Sequence, residues 1–195
     1  MKVVVDQTIS VDGFITGPDD DKANPLGTGD GPKLFAWYKG GEIMFGDDRF
    51  APRGRDREAV EQMAKAYGSF VTGRRTYDLT NAWDGTHPIV ENVIVLTHRP
   101  ATPPTTGRSR FSYTDDITAA VAQAKERAGK LDVAIGTAGA AQAAFAKHLV
   151  DEVWLHVAPL ALGRGRALFQ ASVKMTPIDI IAGPGATHVR YRVER

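Results

Sequence analysis

The sequence contains no cysteine. Disulfides, thiolate nucleophiles and thiolate-ligated metals are thereby excluded, and the absence suits a reducing compartment. No charge of one sign dominates either: 24 Lys and Arg stand against 23 Asp and Glu, a net charge of +1. Such a balance gives no bulk field to gather nucleic acid or an anionic membrane, so neither is expected as a partner and any anion site must be local. Long apolar runs are also missing. The start, MKVVVDQTIS, is too short in apolar residues for a signal-peptide core and nothing later approaches a membrane span, so a cytoplasmic location is the expectation. What is present, 43% apolar and 24% charged residues in a chain of 195, is ordinary for a folded soluble protein and fits one domain over residues 1–195.

The stretch Ser69 to Thr80, SFVTGRRTYDLT, organises the rest. Strand-like residues run into Gly73, and Arg74, Arg75 and Thr76 follow on what reads as the first turn of a helix. Such a junction offers unpaired N–H groups, a hydroxyl and two planar cations, which is a phosphate site in outline. A glycine turn before a solvated basic helix start reads equally well from these letters alone.

Two more strands end in the same style. NVIVLTHRP closes an apolar run with Thr97, His98 and Arg99, and DVAIGTAG closes another with Gly136, Thr137, Ala138, Gly139 and Ala140 ahead of a helix. Continuous apolar strands separated by helices predict a mostly parallel sheet covered on both faces, where ligands bind at the carboxyl ends of the strands. One shared nucleotide site follows. The chain has neither the six-position glycine fingerprint nor the acidic ribose anchor of an ordinary Rossmann domain.

Elsewhere, Lys2 to Ser10 reads as a buried first strand, and Glu58 to Tyr67 and Asp115 to Ala128 as amphipathic helices, the second with Asp115 as N-cap. The loop from Asp19 to Pro32 is a mobile lid or plain disorder. The aromatic cluster of KLFAWYK is core or ligand box, and Gly40 to Arg57 is an irregular surface insertion. Its acidic pair, Asp47 and Asp48, is expected to be solvated, and no metal site is expected. KMTPIDIIAG and THVRYRVER, joined by Gly183-Pro184-Gly185, alternate as an antiparallel hairpin whose Arg190, Arg192 and Glu194 guard a sheet edge.

In order along the chain, SVDGFITGP, TGRRTYD, VIVLTHRP, AIGTAGAAQAAF and LVDEVWLHVAPLALGRGRALF resemble the dihydrofolate reductase superfamily. Within it the chain is similar to the C-terminal reductase domain of the riboflavin-biosynthesis deaminase/reductase, over nearly all its length. The resemblance implies an α/β protein with a three-layer α/β/α fold, a mixed, mostly parallel central sheet and a C-terminal antiparallel hairpin, NADPH as hydride donor, and a homodimer. By position it implies that Arg74, Arg75 and Thr76 after Gly73 hold the 2′-phosphate and pyrophosphate, that Thr97, His98 and Arg99 line the adenosine side, and that Gly136 to Ala140 carries the diphosphate bridge. The family usually has two adjacent glycines at that turn, often joined by a cis peptide; here the second is Thr137.

On the substrate side, the folate-binding carboxylate of true folate reductases falls on Leu34, which can neither hold a pterin nor help protonate it. The activity implied is reduction of a C=N or C=O bond in a small heterocycle, pterin- or ribosylaminopyrimidine-like, similar to 5-amino-6-(5-phosphoribosylamino)uracil reductase. Phe14, Ile15 and Trp37 would pack on the nicotinamide or substrate ring, and Asp12 is the acid nearest the expected hydride site, or a turn cap. No deaminase module is expected, since its zinc signature needs cysteines. A non-catalytic NADP- or flavin-binding module, or a dimeric sensor of the same fold, is the alternative.

Overall fold

A computed structural model describes residues 1–41, 50–99 and 101–194. Asp47 and Asp48 lie outside the described residues.

The order along the chain is β1 (Val3–Ser10), β2 (Phe14–Thr16), a 3₁₀ helix at Gly31–Tyr38, α1 (Arg55–Ala66), β3 (Tyr67–Gly73) and α2 (Arg74–Leu79). A turn at Asn81–Gly85 leads to β4 (Asn92–Leu96), β5 (Arg110–Thr114), α3 (Ile117–Ala128), β6 (Asp132–Ile135) and α4 (Ala138–Ala146). Strands β7 (Glu152–Ala158), β8 (Arg166–Ala167), β9 (Met175–Ala182) and β10 (Thr187–Val193) complete it. Eight strands form one sheet in the order β5-β4-β3-β6-β1-β7-β10-β9, parallel from β5 to β7, with β10 antiparallel to both its neighbours.

β1 is central because every residue from Val3 to Ser10 is buried, which only a strand covered on both faces tolerates. Val3 and Val5 face one core with Ile135, Ala120 and Ala124, under α3 and α4. Val4 faces the other with Ala59, Met63 and Val95, under α1. Each fully buried valine contributes about 1.5–3 kcal/mol, so Val4→Asp would remove that and strand a charge. The result is the three-layer α/β/α arrangement, and strands β9 and β10 form the expected terminal hairpin, closed by Gly183 N–H donating to Ala186 O.

The structure corrects three local expectations and adds a short strand. The cap of α3 is Asp116, one residue later than Asp115, and its carboxylate accepts from the N–H groups of Thr118 and Ala119. α1 starts at Arg55, inside the stretch read as insertion. Arg190 does not guard an edge, because β10 is paired on both sides; its guanidinium donates to Glu152 at 2.6 Å and lies over the Trp154 ring. The loop after Pro159 contains β8, which pairs with β2.

Candidate active site

Strands β4, β3 and β6 are neighbours, so their carboxyl ends arrive side by side. The tips, Gly73 to Thr76, Thr97 and His98, and Gly136 to Ala140, all line a single cleft of about 1170 Å³. A pocket for one small ligand is typically 300–1,000 Å³, so this cleft is at the roomy end of that scale.

The tips are fastened to one another. Gly73 N–H donates to Thr137 Oγ1 at 3.0 Å, tying the β3 turn to the β6 turn. A side chain at Gly136 would place its Cβ 2.2 Å from the Phe70 ring, whereas one at Gly139 would meet nothing within 4 Å. Gly136 is therefore there for close packing, and Gly139 opens onto space. No cis peptide bond occurs among the described residues, so Gly136–Thr137 is trans.

The cations are braced by acids. Arg74 Nε donates to Asp78 at 2.8 Å, and Arg99, which is not part of the lining, braces the same corner through its carbonyl to Arg74 and its guanidinium to Asp78. Arg75 donates to the carboxylate of Asp20 at 2.6 Å and also to the Asp20 carbonyl. Arg166 reaches the same carboxylate at 3.1 Å, so Asp20 pins the loop before the 3₁₀ helix across the cleft mouth. Burial pushes the Asp20 carboxyl up, but hydrogen bonds and charge from Arg75 and Arg166 outweigh it and hold it below the usual carboxylate range.

The neighbouring wall is built by β1, which pairs with β6, and there Asp6, Gln7 and Thr8 line the cleft together with Tyr38. Two buried oxygens on this side lack any hydrogen-bond partner: Gln7 Oε1 and Thr16 Oγ1. Both belong to cleft-lining residues. An orphaned acceptor in a buried site costs about 1–3 kcal/mol, so these atoms are suited to a ligand that brings N–H donors. Ile15, between them in the chain, lines the cleft as expected of a residue that packs on a flat ring.

Asp6 begins a buried row of titratable side chains. Its Oδ2 accepts from the Tyr67 hydroxyl at 2.7 Å, and its Oδ1 lies 3.0 Å from His156 Nε2. His156 Nδ1 lies 2.7 Å from His188 Nδ1, and His188 Nε2 lies 3.0 Å from Asp56 Oδ1. Asp56 also accepts the N–H groups of Gly185 and Ala186 in the hairpin turn. Solvent exposure along the row is 8% at Asp6, 0% at His156, 1% at His188 and 1% at Asp56. Burial, then the charge of Asp6, pushes the Tyr38 hydroxyl well above its ordinary pKa, and burial does the same to Tyr67. Desolvation and the adjacent His156 push His188 down to about 4.

Sequence reasoning placed the substrate acids elsewhere. Asp12, Phe14, Leu34 and Trp37 are not among the cleft lining. Asp12 is a turn cap: its carboxylate accepts from Ser10 Oγ and from the N–H groups of Leu162 and Gly163, and these bonds, the Ser10 one foremost, lower its pKa to about 2. Leu34 is completely buried, and Trp37 is spent in the interior, with Nε1 donating to Thr8 Oγ1 at 3.2 Å. The cleft-lining acid that sequence reasoning passed over is Asp6. Its signal was available, since a carboxylate in the middle of the buried run VVVDQTIS must have partners.

Solved structures share this architecture. A protein from Shewanella sp. PV-4 assigned to riboflavin biosynthesis aligns over 100% of both chains at 21% identity and a TM-score of 0.67. The diaminohydroxyphosphoribosylaminopyrimidine deaminase/5-amino-6-(5-phosphoribosylamino)uracil reductase of Thermotoga maritima aligns with 99% of this chain and 56% of its own, at 12% identity and a TM-score of 0.61. Dihydrofolate reductase from Enterococcus faecalis, complexed with NADP(H), aligns over 100% of this chain and 97% of its own at 13% identity and a TM-score of 0.56. Identities this low establish the fold alone, which is dihydrofolate-reductase-like. Among curated proteins no sequence matches. The family model of the RibD C-terminal domain matches residues 1–182, and the chain therefore belongs to that family.

Proposed function

We propose that the chain is an NADPH-dependent reductase that delivers hydride to a C=N or C=O bond of a small heterocycle, pterin- or ribosylaminopyrimidine-like, as a cytoplasmic enzyme. The observation that carries this reading is the convergence of three strand tips, with their glycines and arginines, on one cleft that the Asp6 carboxylate of the adjoining strand also lines. The T. maritima protein aligned above is named as a deaminase and 5-amino-6-(5-phosphoribosylamino)uracil reductase, and the E. faecalis one is complexed with NADP(H).

The residues present fit the cofactor. Arg74, Arg75 and Thr76 would hold the 2′-phosphate and pyrophosphate, with Asp20 yielding Arg75 to the incoming anion. Thr97 and His98 would line the adenosine, and the turn from Gly136 to Ala140, open at Gly139, would take the diphosphate bridge. The unpartnered Gln7 Oε1 and Thr16 Oγ1 are acceptors suited to the N–H donors of a nicotinamide carboxamide. Bound NADPH supplies the hydride; the protein aligns the rings, excludes water and brings a proton. Lys33 and Arg166 at the cleft are basic residues available to a phosphorylated substrate. For the expected homodimer, the open edge of β9, with Ile178 and Ile180 exposed, is the surface on offer.

Thermal shift with NADPH and NADH tests the reading. Saturable stabilisation by NADPH that exceeds NADH is expected, together with NADPH oxidation on a panel of pterins and ribosylaminopyrimidines. No stabilisation by either nucleotide refutes the proposal. Tight binding without consumption on any panel member would leave the non-catalytic sensor.

A further inference from the structure

We propose that Asp6 is the proton donor of the cleft, and that His156, His188 and Asp56 are positioning residues that store and resupply its proton. The inference rests on the reductase reading above. Hydride added to the carbon of a C=N bond pushes the π pair onto nitrogen, which must then gain a proton. Asp6 lines the cleft beside Thr8 and Tyr38, and it is the acid that the Leu34 position lacks.

Counting protons along the row gives the rest. Two imidazole Nδ1 atoms 2.7 Å apart hold one proton between them: none would set lone pair against lone pair, and two would clash. Each remaining ring nitrogen, His156 Nε2 and His188 Nε2, faces a carboxylate oxygen at 3.0 Å and needs one proton in the contact. Three contacts thus take three protons. Two neutral imidazoles bring only two, so the third is a movable one. It can reside on His156, on His188 or on the Asp6 carboxyl without loss of a single hydrogen bond, and the row carries one negative charge in every case. Desolvation and the adjacent His156 disfavour it on His188.

In the reaction the Asp6 O–H bond breaks as the substrate N–H bond forms, C=N becoming CH–NH while NADPH becomes NADP⁺. The row is left with two protons, neutral rings and two carboxylates. One proton from water, entering through the cleft after product departs, restores it. The groups that face the row from neighbouring elements are the Tyr67 hydroxyl from β3, the Tyr38 hydroxyl from the 3₁₀ helix, and Arg190 and Asp132, whose charges reach Tyr67. A structural role alone would not need a row that begins at the cleft wall, and buried ion pairs are costly substitutes for apolar packing.

The test is ring N–H counting by ¹⁵N-histidine NMR at neutral pH, feasible because the chain has five histidines. Wild type should show three ring N–H groups across His156 and His188. Asp6→Asn should show two, since its amide can donate to His156 Nε2 and its carbonyl can accept from Tyr67, which also keeps the variant folded. Two N–H groups in wild type with Asp6 ionised, read from its carboxyl ¹³C shift, or three in both proteins, overturn the proposal. With 7,8-dihydropterin or 1-pyrroline as acceptor, Asp6→Asn should lower kcat at least about 100-fold with KM little changed, and its NADPH-induced thermal shift should persist. An unchanged kcat overturns the proposal. Failure of wild type to bind NADPH removes the reductase reading instead, and the N–H count does not depend on that result.

Discussion

The two walls of the cleft are built on opposite plans. The wall of strand tips uses contiguous residues, such as Gly73 to Thr76 and Gly136 to Ala140, each set delivered whole by one turn. The polar wall is backed by a buried row that reaches the cleft at Asp6 and takes one residue from each of β1, β3, β7 and β10, together with Asp56 from α1, and none of them is a neighbour of another in sequence. A wall of local motifs can lose a contact and keep its shape. A row in which each member satisfies the next cannot.

The hardest blow to this contrast is Asp56→Ala. It removes the acceptor of His188, Gly185 and Ala186 together, and breaking a buried pair of this kind should cost about 3–5 kcal/mol by urea unfolding. A cost below that of an ordinary surface substitution would show the row to be no more integral than the tips. Acid gives a smaller effect on the same wall. Folded His188 binds its proton only near pH 4, whereas an unfolded histidine binds it near 6.5. Between those values the unfolded chain holds more protons, so stability falls as pH is lowered through that window. His188→Gln should flatten the slope in a melting series across pH 4 to 6.5.

On the other wall, Arg74→Ala should weaken NADPH at least about tenfold and leave NADH nearly untouched, because a charge-assisted contact to a phosphate is worth about 1.5–3 kcal/mol. An arginine serving only its surface pair with Asp78 would change neither nucleotide by more than about 1 kcal/mol. Smallest of all, Asp20→Asn should tighten NADPH by about threefold, since the exposed ion pair it releases is weak. Titration by intrinsic fluorescence would detect it, and weaker binding would show that Asp20 orders the mouth instead of competing for Arg75.

The same contrast explains what could be read from letters. The sheet was legible because VVV, NVIVL and DVAI are apolar runs that only a doubly covered parallel strand can bury, and the tips were legible because glycine, arginine and threonine sit together. The row was not. His188 alternates with Arg190 and Arg192 on a strand whose charged face reads as solvent-exposed, and only the pairing of β10 with β7 turns that face inward against His156 and Trp154. Leu34 and Trp37 drew attention as neighbours of an expected ligand, yet an aromatic 3₁₀ turn buries the same residues to close a core. Asp12 and Asp6 are six residues apart; the glycine after Asp12 suits a turn and the apolar run around Asp6 demands partners, but only the fold shows that Asp6 faces the cleft.

Thr137 carries one more consequence. By taking the Gly73 N–H for its own hydroxyl, it consumes a neutral main-chain donor that a second glycine would have left for a diphosphate. More of the grip on an anionic cofactor then falls to guanidinium charge at the rim, which dissolved ions attenuate over about 8–10 Å under ordinary buffer conditions. Retention of the dinucleotide should therefore track ionic strength steeply, and Thr137→Gly should make it less so.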